Sequence, residues 1–152
     1  MGKLSKGMKA PFFEGYNQKN ELININMFKG KKLVLYFYPK DNTPGCTAEA
    51  CSLRDNYEDF KKKNYEIVGV SSDSIKSHIN FAEKYNLPFH LISDADKKIQ
   101  TTYEAYGEKK MYGKTVVGTI RKTYIINEEG YIEDIIEKVD TKNHAFQILK
   151  NK

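Results

Sequence analysis

Cys46 and Cys51 are the only thiols in this 152-residue chain, and they stand five residues apart. A thiolate is a nucleophile that oxidises through sulfenic acid to a disulfide, so the pair could carry redox chemistry. The other common fate of a free cysteine is a buried structural position, but the local setting favours the reactive reading. Leu33 to Tyr38 is an unbroken apolar and aromatic run, suited to a buried central strand. Pro39 cannot donate a ladder hydrogen bond and should end it. Asp41-Asn42-Thr43-Pro44-Gly45 is dense in turn formers, Asn42 among them. From there Cys46, Ala50, Leu53, Tyr57 and Phe60 recur at helical spacing, which predicts a helix to about Lys63. Cys46 then falls in its first turn, where N–H groups without intrahelical partners and the helix dipole favour the thiolate.

These residues carry a resemblance. Pro39-x-x-x-Thr43-x-x-Cys46 resembles the active-site signature of peroxiredoxins. The longer string from Tyr38 through Glu49 to Cys51 is similar to that of the bacterioferritin comigratory protein, or PrxQ, type. The likeness continues through Gly69 to Ser74, Ser77-His78, Leu87-Pro88-Phe89, Leu91 to Asp96 and Tyr106 to Lys114, and covers residues 4–149. Tyr106 stands where that type commonly has tryptophan and Leu53 where it has phenylalanine. The resemblance implies a thioredoxin-like fold and a thiol peroxidase without metal, haem or flavin.

The elements that must position the cysteines can be read in order. Pro11 to Tyr16 and Glu21 to Ile25 flank a polar turn and predict an N-terminal hairpin. Glu66 to Ser71 is a second short β-branched strand, which with the first strand and the cysteine helix makes a βαβ unit with a parallel pair. Ser74 is placed to cap a helix from Ile75 to about Asn86, stopped by Pro88. Phe89 to Ile92 reads as a strand, and Asp94 to Tyr103 as a short helix. Ala105 to Lys114 reads as irregular. Val116 to Ile120 and Lys122 to Ile126 form one or two strands. Asn127 to Gly130 turns the chain into an antiparallel strand from Tyr131 to Ile136. Thr141 is placed to cap a last helix with Phe146, Ile148 and Leu149 inward. The expected fold class is α/β: a thioredoxin-like fold with a central mixed sheet, flanking helices and an N-terminal β-hairpin extension, in one domain spanning residues 1–152.

A peroxidase cysteine needs fixed donors around the oxygens where charge develops. Thr43 offers a hydroxyl, and the backbone around Gly45 and Cys46 offers N–H groups. A guanidinium offers a permanent forked cation. The chain has two arginines, Arg54 and Arg121. Arg121 stands at the start of a strand and matches the family's catalytic arginine. Arg54, two turns along the cysteine helix, reads equally as a surface arginine or a supporting one. Pro39 would shield the thiolate. Glu49 would either hold the loop or an arginine, or simply favour the helix N-terminus. His78, His90 and His144 read as surface or core residues, with nothing placing one beside Cys46. The resemblance makes Cys51 the resolving thiol of an intramolecular disulfide, which thioredoxin or a similar dithiol reductant would reduce.

The composition sets limits. Net charge is +5, from 25 basic and 20 acidic residues. The lysines are interleaved with acids and no nucleic-acid motif occurs, so a solvated basic surface is the better reading. No apolar run approaches a membrane span. The start, Met1 to Gly7, has no apolar core of a secretory signal. Two cysteines at this spacing suit neither a zinc site nor a disulfide framework. A cytoplasmic monomer acting on hydroperoxides is the expectation. A redox sensor or holdase using the same dithiol as a switch is the alternative.

Overall fold

The computed structural model describes residues 3–150. Met1 and Gly2, part of the reading of the chain start, lie outside the described residues. The first hairpin is β1 (Glu14–Tyr16) and β2 (Leu22–Asn24), joined through the polar turn and followed by a 3-10 turn at Ile25–Phe28. The apolar run forms β3 (Lys32–Phe37), buried from Leu33 onward. The cysteine helix is α1 (Pro44–Asp55).

This helix is shorter than its apolar period suggests. At Asn56 the backbone leaves helical geometry, with φ −114° and ψ 14°, and its side-chain amide donates to the Ser52 carbonyl at 2.8 Å. Asparagine competes with the helical ladder in this way. A separate α2 (Tyr57–Lys62) then carries Phe60 into the core.

Next come β4 (Tyr65–Ser71), α3 (Ile75–Tyr85), β5 (His90–Ser93) and α4 (Lys98–Thr102). Ser74 caps α3 by accepting from Ser77 N–H, and Asn86 closes it at φ 53°, before Pro88 is reached. The segment read as irregular instead forms β6 (Tyr106–Met111), which pairs as an antiparallel hairpin with β7 (Lys114–Thr119), the strand read from Val116 to Ile120. Its two-residue turn, Tyr112-Gly113, has positive φ at both positions, which suits a tight hairpin. The sheet it forms stands apart from the main one. β6, Tyr106-Gly107-Glu108-Lys109-Lys110-Met111, has no apolar alternation to read.

The chain closes with β8 (Lys122–Ile126), β9 (Ile132–Ile136) and α5 (His144–Leu149). Asn143, not Thr141, occupies the N-cap position of α5. Ala145 and Ile148 are buried, whereas Phe146 is 67% exposed, contrary to the inward reading.

The seven-stranded sheet runs β2-β1-β5-β4-β3-β8-β9, so β3 is central. β3, β4 and β5 are parallel, while β8, β9 and the N-terminal hairpin run antiparallel to their neighbours. Each face has its own core. One holds Leu33, Leu35, Phe37, Val68, Val70 and Tyr124; the other holds Val34, Tyr36, Cys46, Ala50, Leu53 and Ile148. That alternation along β3 is the period-two pattern of a strand buried on both sides. Gly69 lets the Tyr36 ring lie against β4: a Cβ there would come within 2.8 Å of it. The mixed sheet with flanking helices is a thioredoxin-like fold.

Candidate active site

The parallel register of β3 and β4 delivers the chain to the C-terminal edge of the sheet, where Tyr38 is followed by the loop into α1. This loop is pinned from below. Tyr38 Oη donates to Asp41 Oδ1 at 2.6 Å, Ser77 Oγ donates to Asp41 Oδ2 at 2.8 Å, and His78 Nδ1 lies 2.7 Å from the same oxygen. Asp41 N–H donates to Asp73 Oδ2 at 2.8 Å. Burial, helped by the nearby Tyr36 and Asp41, pushes the Tyr38 phenol well above its ordinary pKa and keeps it a donor. Asn42 takes φ 60°, a left-handed position that asparagine tolerates, and Pro44 begins α1. Asp41, Asp73 and His78 have ligand-type atoms within 4.8 Å of one another. Asp41 Oδ1 and Oδ2 and Asp73 Oδ2 already accept from protein donors, however, so the cluster is a tether for the loop.

Cys46 is buried and Cys51 partly exposed; both are free thiols on α1. The Gly45 and Cys46 N–H groups fall before the first intrahelical bond, which runs from Thr47 N–H to the Thr43 carbonyl at 2.8 Å. Thr43 Oγ1 donates to the Lys40 carbonyl at 2.8 Å, leaving its lone pairs to accept from an incoming O–H.

Arg121 precedes β8. Because Phe37 pairs with Lys122, the antiparallel register sets Arg121 beside the end of β3 from which the loop departs. Its Nη2 donates to Cys46 Sγ at 3.3 Å and its Nη1 donates to Glu49 Oε1 at 2.6 Å. The Arg121 side chain is 24% exposed and the Glu49 side chain 0%. Burial works against the Arg121 charge, but Glu49 and Cys46 outweigh it and raise its pKa further. Gly45 makes room for this fork, since a Cβ there would sit 3.2 Å from Nη2.

Glu49, one turn on from Cys46 in α1, faces two influences. Burial raises its pKa to about 7, against the lowering effect of Arg121. Its Oε2 is buried without a hydrogen-bond partner, 3.4 Å from His144 Nε2. His144 is brought there by α5, whose Ala145 N–H donates to Ser52 Oγ on α1 at 3.1 Å. Burial lowers the His144 pKa to about 4.

The structure thus gathers Cys46, Arg121, Glu49 and Gly45, with Thr43 and Pro39 in the adjoining loop. Arg54 is elsewhere: it bonds Asp55 and the Tyr85 carbonyl, the latter at 2.8 Å. Two neighbours had no sequence signal. His144 is one, since only the docking of α5 places it. Lys109, from the unforeseen hairpin, is the other. Its Nζ donates to the Thr119 carbonyl at 2.6 Å, and burial, then Arg121, lowers its pKa against the pull of Cys46.

Residues 6–135 match the family described as AhpC/TSA. A putative peroxiredoxin bcp of Coxiella burnetii is 42% identical over 146 residues, covering 96% of this chain and 97% of its own. Peroxiredoxin Bcp of Escherichia coli is 40% identical over 149 residues, covering 98% and 96%. Among solved structures, the Xanthomonas campestris bacterioferritin comigratory protein, described for its alkyl peroxide reduction activity, superposes with a TM-score of 0.88 at 34% identity. That match covers 97% of this chain and 96% of the other. A cysteine-to-serine mutant of Xylella fastidiosa PrxQ gives 0.91 at 30% identity, covering 99% and 96%. No helix among the described residues is long and apolar enough to cross a membrane.

Proposed function

The chain belongs to the AhpC/TSA family, as a peroxiredoxin of the Bcp or PrxQ type, and from that premise we propose how this thiol peroxidase works and is recycled. Cys46 is the attacking residue. Its thiolate gives an electron pair to one oxygen of a hydroperoxide, the S–O bond forms, and the O–O bond breaks. Arg121 Nη2 holds the sulfur as an anion and stays within reach of the oxygen on which charge builds. Thr43 Oγ1 accepts the hydroperoxide O–H, and the Gly45 and Cys46 N–H groups donate to its oxygens. Pro39 limits water at the thiolate. Glu49 sets the plane of the guanidinium. The observation that carries this reading is the Arg121 fork, spread between Cys46 Sγ at 3.3 Å and Glu49 at 2.6 Å.

The resulting sulfenic acid is attacked by the Cys51 thiol; an intramolecular disulfide forms and water leaves. Thioredoxin or a similar dithiol protein reduces it by exchange. Substrates are hydrogen peroxide and organic hydroperoxides, in line with the alkyl peroxide activity named for the Xanthomonas protein. The enzyme acts as a monomer of one domain in the cytoplasm, without metal or organic cofactor.

The recycling is tested by following NADPH oxidation with thioredoxin reductase, thioredoxin, this protein and a hydroperoxide. Steady turnover that depends on all components, and that stalls after about one equivalent of peroxide in Cys51→Ser, supports the cycle. A wild-type rate indifferent to thioredoxin overturns the reductant, and sustained turnover by Cys51→Ser overturns the resolving role.

A further inference from the structure

Glu49 Oε2 is a buried carboxyl oxygen with no hydrogen-bond partner, and an uncompensated anion there would be costly. What faces it decides its protonation. His144 Nδ1 lies 2.8 Å from Gln147 Oε1. That atom is an oxygen because it also accepts from Asp140 N–H at 2.8 Å, while Gln147 Nε2 donates to the Lys138 carbonyl. Nδ1 therefore carries the ring proton, and the single Nε2 lone pair accepts from Thr123 Oγ1 at 2.8 Å, with Glu49 Oε2 3.4 Å away. With that lone pair filled by the Thr123 hydroxyl, His144 has no proton to give Oε2, so a charge on this oxygen would stand uncompensated. Burial disfavours the charged form of both groups, raising Glu49 and lowering His144, and the Arg121 charge adds to the lowering of His144. The proton belongs on Glu49. The other groups facing this carboxyl are Arg121 and Cys46, with the Tyr36 phenol held neutral chiefly by burial.

We propose that Glu49 is the proton store of the peroxidase step, a neutral acid against His144 while Cys46 is a thiolate and a carboxylate against Arg121 once Cys46 is a sulfenic acid. The proposal rests on the peroxidase reading above. One guanidinium cannot neutralise two anions, so thiolate and Glu49 carboxylate compete for Arg121. When the thiolate attacks, sulfur is oxidised and the hydroperoxide reduced by two electrons. The departing alkoxide or hydroxide takes the Glu49 proton and leaves as alcohol or water. Thiolate, carboxylic acid and hydroperoxide become sulfenic acid, carboxylate and alcohol, and the buried site keeps its net charge throughout. When the disulfide is later reduced, the proton lost as Cys46 becomes a thiolate again reloads Glu49. His144 acts through Glu49 and is a positioning residue.

The test is infrared difference spectroscopy on the reduced Cys51→Ser protein, where the sulfenic acid persists, before and after about one equivalent of hydrogen peroxide. A protonated-carboxyl band that is present in the reduced protein, absent in the Glu49→Gln double variant and lost on oxidation supports the proposal. A band missing from the reduced protein, or unchanged after oxidation, overturns it. Mass spectrometry of Cys46 in the same samples separates the two readings: an oxidised Cys46 with an unchanged band defeats the proton store alone, whereas an unoxidised Cys46 defeats the peroxidase reading. Side-chain nitrogen NMR of wild-type protein tests the His144 half without mutation. Nδ1 protonated and Nε2 bare in the reduced state is expected, and a doubly protonated ring overturns it.

Discussion

Oxidation should unwind the cysteine helix. Cys46 and Cys51 both lie within α1. Residues five apart in an α-helix are displaced by ~7.5 Å along the axis and turned by ~140°, which sets their Cα atoms ~8–9 Å apart. A disulfide needs them within about 7 Å, so the bond cannot form while both cysteines remain in one regular helix. Unwinding the segment from Thr43 to Arg54 withdraws Cys46, Ala50 and Leu53 from their core and separates Glu49 from Arg121. Losing Leu53 alone costs about 2 kcal/mol of burial. At about 1.4 kcal/mol per tenfold, amide exchange in this segment should speed up by about 30-fold or more on oxidation. β3, which keeps its pairing with β4 and β8, should hold its protection. Hydrogen exchange read by mass spectrometry on reduced and oxidised protein measures both. Equal protection of residues 43–54 in the two states, with the Cys46–Cys51 bond verified, would refute the reasoning.

Arg121→Lys keeps the charge but loses the fork between Cys46 and Glu49, so the second-order rate with peroxide should fall by roughly tenfold or more, about 1.4 kcal/mol of transition-state stabilisation; a near-normal rate would remove the bidentate role. Gly45→Ala places a methyl group against Arg121 Nη2, so the same rate should drop while the thermal midpoint, measured alongside, changes little. Burial raises the Glu49 pKa from 4.5 to about 7 in the folded protein, so the native state binds the extra proton. Relative to Glu49→Gln, the protein should therefore lose stability as pH rises from 4.5 through about 7, by about 3 kcal/mol; His144, lowered from 6.5 to about 4, gives both proteins an opposite slope that cancels in the difference. Denaturant melts of both reduced proteins across that range measure the difference, and parallel profiles would refute the Glu49 proton.

The strand, loop and helix around Cys46 were legible because each changes the sequence period: a continuous apolar run, then turn formers, then a spacing of three and four. Arg121 was legible because it stands at the entry to a strand and matches the catalytic arginine of the family the chain resembles, while the antiparallel register that carries it to the end of β3 shows only in the fold. What stayed hidden depends on tertiary placement or on side chains overriding pattern. The Asn56 amide breaks an apolar stripe that continues through Tyr57 and Phe60. β6 has no apolar alternation, so beyond the strand read at Val116 only the Tyr112-Gly113 turn marks the β6–β7 hairpin. His144 reaches Glu49 because α5 docks on α1, a contact no local spacing encodes. Phe146 faces out because the helix begins at His144 and buries Ala145 and Ile148 instead.

The nucleophilic role of Cys46 is tested most directly by rapid mixing of the fully reduced protein with hydrogen peroxide, beside its Cys46→Ser form, with peroxide loss and cysteine oxidation followed by quenched-flow mass spectrometry. The wild-type protein should consume peroxide rapidly as Cys46 is oxidised, and Cys46→Ser should consume none above the uncatalysed background, because a neutral hydroxyl cannot replace the thiolate. Rapid consumption by Cys46→Ser, with Cys51 as the residue first oxidised, would contradict the assignment.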